Sequence, residues 1–286
     1  MAGAAAPSSS LALLTNPAAG SGESRRVADL LRAEVSAVRV FEVGQVGEAV
    51  AWRPSRIVVA GGDGSIAPAA EAAAGAGVPL AVVPVGTAND FARALDLPGD
   101  LGAACRLAAR GDRLRRLDLG RMGDRPFVNV ASAGLPPAAA REARGLKGAL
   151  GALAYPLGAL RAGLSAEPFH CAVSCDGEDT FSGRAWQLTV ALTGAFGGGA
   201  SIEADPADGA LDLAVIEAGS RTRLIRHGLE MRRGRVGGQR GVQARRCHSA
   251  HLTVAEATRF NVDGEVVRSG PVDFFVEAGA FNLVVG

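Results

Sequence analysis

Three times within the first 90 residues, a short apolar run stops at a turn of small residues and a helix-like segment follows. LALLTN (11–16) runs into NPAAGSG, RIVVA (56–60) into GGDGS, and PLAVVP (79–84) into VGTAND. Between them, Val27, Leu30, Leu31 and Val35 recur at spacings of three and four, an amphipathic helix. VRVFEV (38–43) reads as another strand, 46–53 as a helix, and 65–75 as a helix of small residues, with a further helix start in GTANDFARAL. Apolar strands separated by helices of this length predict parallel βαβ units with right-handed crossovers.

The pattern changes after about residue 112. Segments 113–122 and 126–133 read as strands joined by Gly123-Asp124, a hairpin signal. Residues 135–165 are rich in Ala, Leu and Gly and read as helical. Beyond 168, short strands follow one another (FHCAVSC, AWQLTVALTG, ALDLAVIE, HLTVAEA and the pair flanking Asp263-Gly264) with turn signals between them, which predicts antiparallel β structure. The expected architecture is a doubly wound α/β domain over 1–125 and a β-rich domain over 126–286, whose final residues return to the first domain. With 48% apolar residues in 286, the chain can fill such cores.

Thirty basic against 29 acidic residues leave no global field to draw nucleic acid, which is not an expected partner. Residues 1–24 lack Lys and Arg, against a secretory leader with a basic start. Residues 72–89 are uncharged, but Gly75, Gly77, Pro79 and Pro84 break them into a helix end, a turn and a buried strand. Four scattered cysteines (105, 171, 175 and 247) make no disulfide framework, and a cytoplasmic location is expected. No His/Cys metal centre is expected: Cys171 and Cys175 stand too far apart on one strand, and His248 and His251 lack cysteine partners.

In an open parallel sheet, the loops after the carboxyl ends of strands form the ligand crevice. Glycine lets backbone approach an anion, and N–H groups at a helix start favour negative charge. Three such turns in one sheet point to a phosphate-bearing ligand; a fourth, GAFGGG (194–199), ends a strand of the second half. Gly, Asn and Asp are also ordinary turn formers, and Thr87 with Asp90 reads equally as helix capping. Asp63 weighs against the ordinary reading. A carboxylate between glycines does not suit a bare phosphate, and is expected to hold Mg²⁺ or a water on it. There is no G-x-x-x-x-G-K-[ST] and no G-x-G-x-x-G after the first strand. The second half adds two acidic pieces, Asp205 to Asp212 and Asp263-Gly264-Glu265. Glu265 opens a return strand, a poor place for a carboxylate unless exposed or useful.

NPAAGSG, GGDGS, VPVGTANDFARAL, NVASAG, ADPADGALDL and NVDGE, in this order, resemble the diacylglycerol kinase catalytic family, in particular its bacterial soluble branch with the sphingosine- and ceramide-kinase-like proteins. The resemblance spans 11–286. GGDGS is shared with NAD kinases and phosphofructokinases; the long GTANDFARAL string with the terminal DGE is far more specific. It implies an ATP- and Mg²⁺-dependent lipid kinase with an NAD kinase-like α/β domain, a β-rich lipid domain and a site in the cleft between them. By the same resemblance, Asn16, Pro17, Ala18, Ala19 and Gly20 would contact ATP, with Gly61, Gly62, Asp63, Gly64, Ser65, Ile66 and Ala67, and with Thr87, Asn89 and Asp90 of the third turn. Glu265 would accept the proton of the lipid hydroxyl, with Asp263 and Asp63 in the catalytic set. Asp208 would bind Mg²⁺ with the backbone carbonyls of Asp205 and Ala210. The chain departs from the pattern at Ser65, where Thr is usual, at Ala67, where Asn is common, at Val43, where Thr is frequent, and at Ser21, where some members carry Lys or Arg.

Residues 221–246 hold nine arginines against Glu230. Such a run is either a solvated face or a surface that docks on anionic lipid, giving peripheral membrane association and a lipid substrate met at the bilayer. Residues 135–165 pack as a helical pair or form a lid over acyl chains. The rival readings are an NAD kinase, against which GTANDFARAL and DGE argue, and a non-catalytic nucleotide- or lipid-binding module, favoured only by Val43 and Ala67. The acceptor lipid and the oligomeric state are left open, a second copy of the chain being a candidate partner.

Overall fold

Strand and helix signals of the first 120 residues translate into a parallel sheet covered on both faces. In a computed structural model of the chain, the described residues are 10–16, 21–134, 167–196, 200–201, 204–224 and 240–286. They form two compact units, one of Met1–Leu119 with Ala278–Gly286, the other of Gly120–Glu277. Two strands, β5 (Leu114–Met122) and β17 (Val272–Val284), cross that division.

In the first unit, β1 (Ser10–Thr15), β2 (Ala37–Glu42), β3 (Arg56–Gly61) and β4 (Leu80–Pro84) are parallel, in the order β2-β1-β3-β4, and Leu283 of β17 pairs with Leu80. The order reverses between β1 and β3, the arrangement that opens a crevice beyond their carboxyl ends. Helix α1 (Ser21–Glu34) and α5 (Leu101–Arg110) cover one face: Val27, Ala28, Leu31, Ala104, Cys105 and Ala108 pack on Leu11, Leu13, Val58, Ala81 and Val83. Both faces of β1 and β3 are buried, which explains their unbroken apolar runs. Helix α2 (Val46–Ala51) and α3 (Ile66–Ala76) pack against each other. Alanines 69, 70 and 73 of α3 are fully buried, and small side chains allow that helix to lie close. It ends where Gly77 turns left-handed (φ 65) and the N–H of Val78 reaches back to the Ala73 carbonyl, with Pro79 beyond.

GTANDFARAL yields only a short helix, α4 (Asp90–Ala94). α5 restarts at Asp100, whose carboxylate accepts from the Ala103 N–H at 2.8 Å.

The second unit is antiparallel. β5 and β6 (Arg125–Phe127) form the expected hairpin around Gly123-Asp124, with Gly120 opposite Phe127. A Cβ at Gly120 would lie 2.4 Å from that buried ring, so only glycine fits there. β7 (Val130–Gly134), β8 (Phe169–Cys175) and β9 (Glu178–Ala191) pair as β7-β9-β8, followed by a short hairpin of β10 (Ala195–Phe196) and β11 (Ala200–Ser201). β12 (Leu211–Glu217) joins β9 to β13 (Val242–Cys247), β14 (Ser249–Val254) pairs with β8 and β17, and β15 (Thr258–Val262) pairs with β7 and β16 (Glu265–Ser269). Their inward faces meet in one core that includes Phe127, Leu188, Val190, Leu213, Phe260 and Phe274. The expected helical region 135–165 falls outside the described residues. Among the described residues, no helix is long and apolar enough to cross a membrane.

Candidate active site

The loops after β3 and β4 in the first unit are built as one piece. The N–H of Val85 donates to the Gly61 carbonyl at 3.2 Å, and a Cβ on Gly86 would fall 2.5 Å from the Cα of Gly62. Two glycines therefore meet backbone to backbone, which any side chain at Gly86 would force apart. Gly61 is equally constrained, because a Cβ there would meet the buried Ser65 hydroxyl at 2.7 Å.

Asp63 is the bolt between the loops. Its Oδ1 accepts from the Phe91 N–H at 2.9 Å and its Oδ2 from the Asp90 N–H at 3.2 Å. These are amides of the first turn of α4, which no earlier carbonyl of the helix can satisfy. A carboxylate between glycines thus has a structural task of its own, capping α4. The capping reading of Thr87 with Asp90 is corrected. Thr87 is exposed, Asn89 holds the N-cap position with φ 50, and Asp63 supplies the cap from a distant turn. Asn89 closes its own turn, accepting from the Gly86 N–H and donating to the Gly86 carbonyl, both at 2.9 Å. Asp90 is buried and paired with Arg93. The side chains of Ile66 and Ala67 are buried, so these two residues can offer a ligand only their backbone at the start of α3. Asn16 is described and half-buried; Pro17, Ala18, Ala19 and Gly20 lie outside the described residues.

Replacing Asp63 with alanine should cost the first unit about 1–2 kcal/mol, the value of a helix cap. Asp63→Asn, which keeps an acceptor, should lose less. Urea unfolding monitored separately for each unit checks both.

In the second unit, β15 and β16 join through Asp263 (φ 48) and Gly264 (φ 93), with Val262 opposite Glu265. Both central residues have positive φ, the geometry of the tightest hairpin turn. The Asp263 carboxylate is buried. It accepts from the N–H groups of Val128 at 2.7 Å, Asn129 at 3.0 Å and Val130 at 2.9 Å, while its own N–H donates to the Val130 carbonyl. Its oxygens bond to backbone amides, so Asp263 holds the turn in place. Asn129 extends the brace: its Oδ1 accepts from the Thr193 hydroxyl at 2.6 Å and its carbonyl from the Leu192 N–H. Glu265, one residue past this braced turn, carries an exposed carboxylate (side chain 54% exposed) paired with Arg125 of β6. Nothing local in the sequence marks Arg125, because its partner lies 140 positions away.

The acidic turn before β12 was expected to hold Mg²⁺. Asp205 accepts from the Ala207 N–H and Asp208 from the Ala210 N–H, each at 3.1 Å, as acidic turn residues ordinarily do. The other oxygen of Asp208 is paired with Arg246. A guanidinium on that carboxylate puts positive charge where a cation would need to be, and among the described residues no three His, Cys, Asp or Glu side chains gather to hold a metal. In this structure Asp208 therefore serves its own turn and Arg246.

Comparison with known proteins agrees with both halves of this description. Residues 10–122 match the diacylglycerol kinase catalytic domain, and residues 129–285 match the YegS C-terminal NAD kinase beta sandwich-like domain. A YegS-like lipid kinase of Pseudomonas putida is 32% identical over 83% of this chain and 79% of its own length. The chain belongs to this family of lipid kinases. A diacylglycerol kinase of Bacillus subtilis is 31% identical over 76% of this chain and 73% of its own length. Among solved structures, a diacylglycerol kinase from Bacillus anthracis shares the fold with a TM-score of 0.76 at 20% identity over 99% of each chain. An NAD kinase from Archaeoglobus fulgidus, in complex with ATP, shares it more distantly, with a TM-score of 0.55 at 14% identity over 96% of this chain and 93% of that one. The α/β unit followed by a β-rich unit is thus the fold of this lipid kinase family.

Proposed function

We propose that this lipid kinase transfers the γ-phosphate of ATP to a free hydroxyl of diacylglycerol or a closely related neutral lipid. The observation that carries the reading is Glu265, a carboxylate kept exposed on a turn that is braced by three buried hydrogen bonds. Phosphoryl transfer needs little covalent help from protein, but the acceptor hydroxyl must be oriented and its proton taken. Glu265 is suited to both. It accepts the hydroxyl proton as the oxygen attacks the γ-phosphorus, and the bond to the β-phosphate oxygen breaks to release ADP.

In the first unit, the start of α3 and the locked Gly61–Ser65 turn offer backbone N–H groups for phosphate, and Asp63 keeps the neighbouring turn in place. Mg²⁺ commonly accompanies ATP through its phosphates. No step is assigned to a cation at Asp208.

Arg221, Arg240 and Arg245 are exposed in the arginine-rich stretch, whose residues 225–239 fall outside the described set. They support a second part of the proposal, that the lipid is met at an anionic membrane surface.

A kinase assay with labelled ATP over diacylglycerol, sphingosine, ceramide and NAD, with products identified by mass spectrometry, tests the assignment. The expected product is a phosphorylated glycerolipid, formed faster on anionic than on neutral vesicles and losing that preference at high salt. Phosphorylation of NAD alone, or of no lipid at all, refutes the proposal.

A further inference from the structure

We propose that Arg125 is a positioning residue for the reaction, holding the Glu265 carboxylate in the orientation that receives the lipid hydroxyl. The inference rests on the reading of Glu265 as proton acceptor and adds the residue through which that acceptor is set.

An ion pair between two exposed side chains ordinarily contributes little, because ordering two long side chains offsets the attraction. This pair differs in what carries it. Glu265 follows a turn that the Asp263 carboxylate ties to the amides of residues 128–130, only a few positions along the chain from Arg125. Arg125 sits directly opposite Met122 in the β5–β6 hairpin and precedes Pro126, whose ring fixes one backbone angle.

That hairpin is braced in turn. Arg121 donates through Nε to the Glu277 carboxylate at 2.8 Å, and the Gly123 N–H donates to the Asp273 carbonyl at 2.8 Å. Both partners therefore stand on fixed backbone, and the pair is set before substrate arrives. Arg125 Nη2 engages one oxygen, Oε2. A carboxylate held by one oxygen can turn the other to an incoming hydroxyl. Freed of Arg125, the side chain of Glu265 rotates about three bonds and spends less time in that orientation. Small misplacements of a catalytic group cost up to about a hundredfold in rate.

The test is a four-protein cycle on diacylglycerol vesicles with MgATP: the parent, Arg125→Ala, Glu265→Gln and the double variant, with Arg125→Lys alongside. Arg125→Ala should lower kcat on the order of tenfold. The KM for ATP and the urea unfolding midpoint should stay at the parent values, and Arg125→Lys should recover most of the rate. In the double variant, removing Arg125 should cost nothing beyond Glu265→Gln alone, because the arginine acts only through that carboxylate. The inference is overturned if Arg125→Ala matches or exceeds the parent rate, or if its penalty recurs in full on the Glu265→Gln background. Near-parental activity of Glu265→Gln itself is a separate result: it removes the proton acceptor, whatever Arg125 does.

Discussion

Glu265→Gln lowers turnover by roughly 10²–10⁴-fold, the usual worth of general-base assistance, while the protein folds and binds ATP as before. The separation of the two effects follows from exposure. The side chain is 54% exposed and it pairs with Arg125, itself 43% exposed, so the amide is accommodated with little strain. Losing such a pair costs at most about 1 kcal/mol of stability. Steady-state kinetics on lipid vesicles, with nucleotide binding followed in parallel by calorimetry, reads both quantities. Turnover within a few-fold of the parent would show that the acceptor proton leaves by another route.

Asp263→Ala has the opposite character. Its carboxylate is buried and accepts from three backbone N–H groups, which its removal leaves without that acceptor. Each stranded group costs about 1–3 kcal/mol, less whatever water or local movement recovers, so a loss of about 4 kcal/mol is expected. For a unit of this size that corresponds to a fall of roughly 10 °C in melting temperature. Activity should fall as well, because the turn before Glu265 loses its anchor. Differential scanning calorimetry distinguishes this variant from Glu265→Gln, which should melt with the parent. A variant that keeps the parent melting temperature but loses activity would return Asp263 to the substrate-contacting set.

Features that depend on neighbours in sequence were legible before the fold was known. The runs LALLTN, RIVVA and PLAVVP became β1, β3 and β4, and Gly123-Asp124 and Asp263-Gly264 became hairpin turns. Both are consequences of local periodicity and turn chemistry. The helix α5, which buries Ala104, Cys105, Ala108 and Ala109, was not among the expected elements although its sequence is amphipathic. What sequence alone could not supply is which carboxylate meets which partner. Asp63 and Asp263 were both grouped with the catalytic residues by type, and each turned out to hold backbone amides, 27 and 28 residues away for Asp63 and 133 to 135 for Asp263. Asp208 met Arg246 in the same way. An acidic residue in a glycine turn carries the same letters whether it holds a cation, a helix end or an arginine; only the folded chain decides among them.

The strand that finishes the first unit is made last. Leu283 pairs with Leu80, the Val285 N–H donates to the Arg113 carbonyl, and Phe281, Leu283 and Val284 are buried. During synthesis, at about 5–20 residues per second, the whole of 120–277 is polymerised before residues 278–286 exist. The β-rich unit therefore has its complete sequence while the first unit still lacks a strand, and the part of the chain that is translated first is the last that can finish folding.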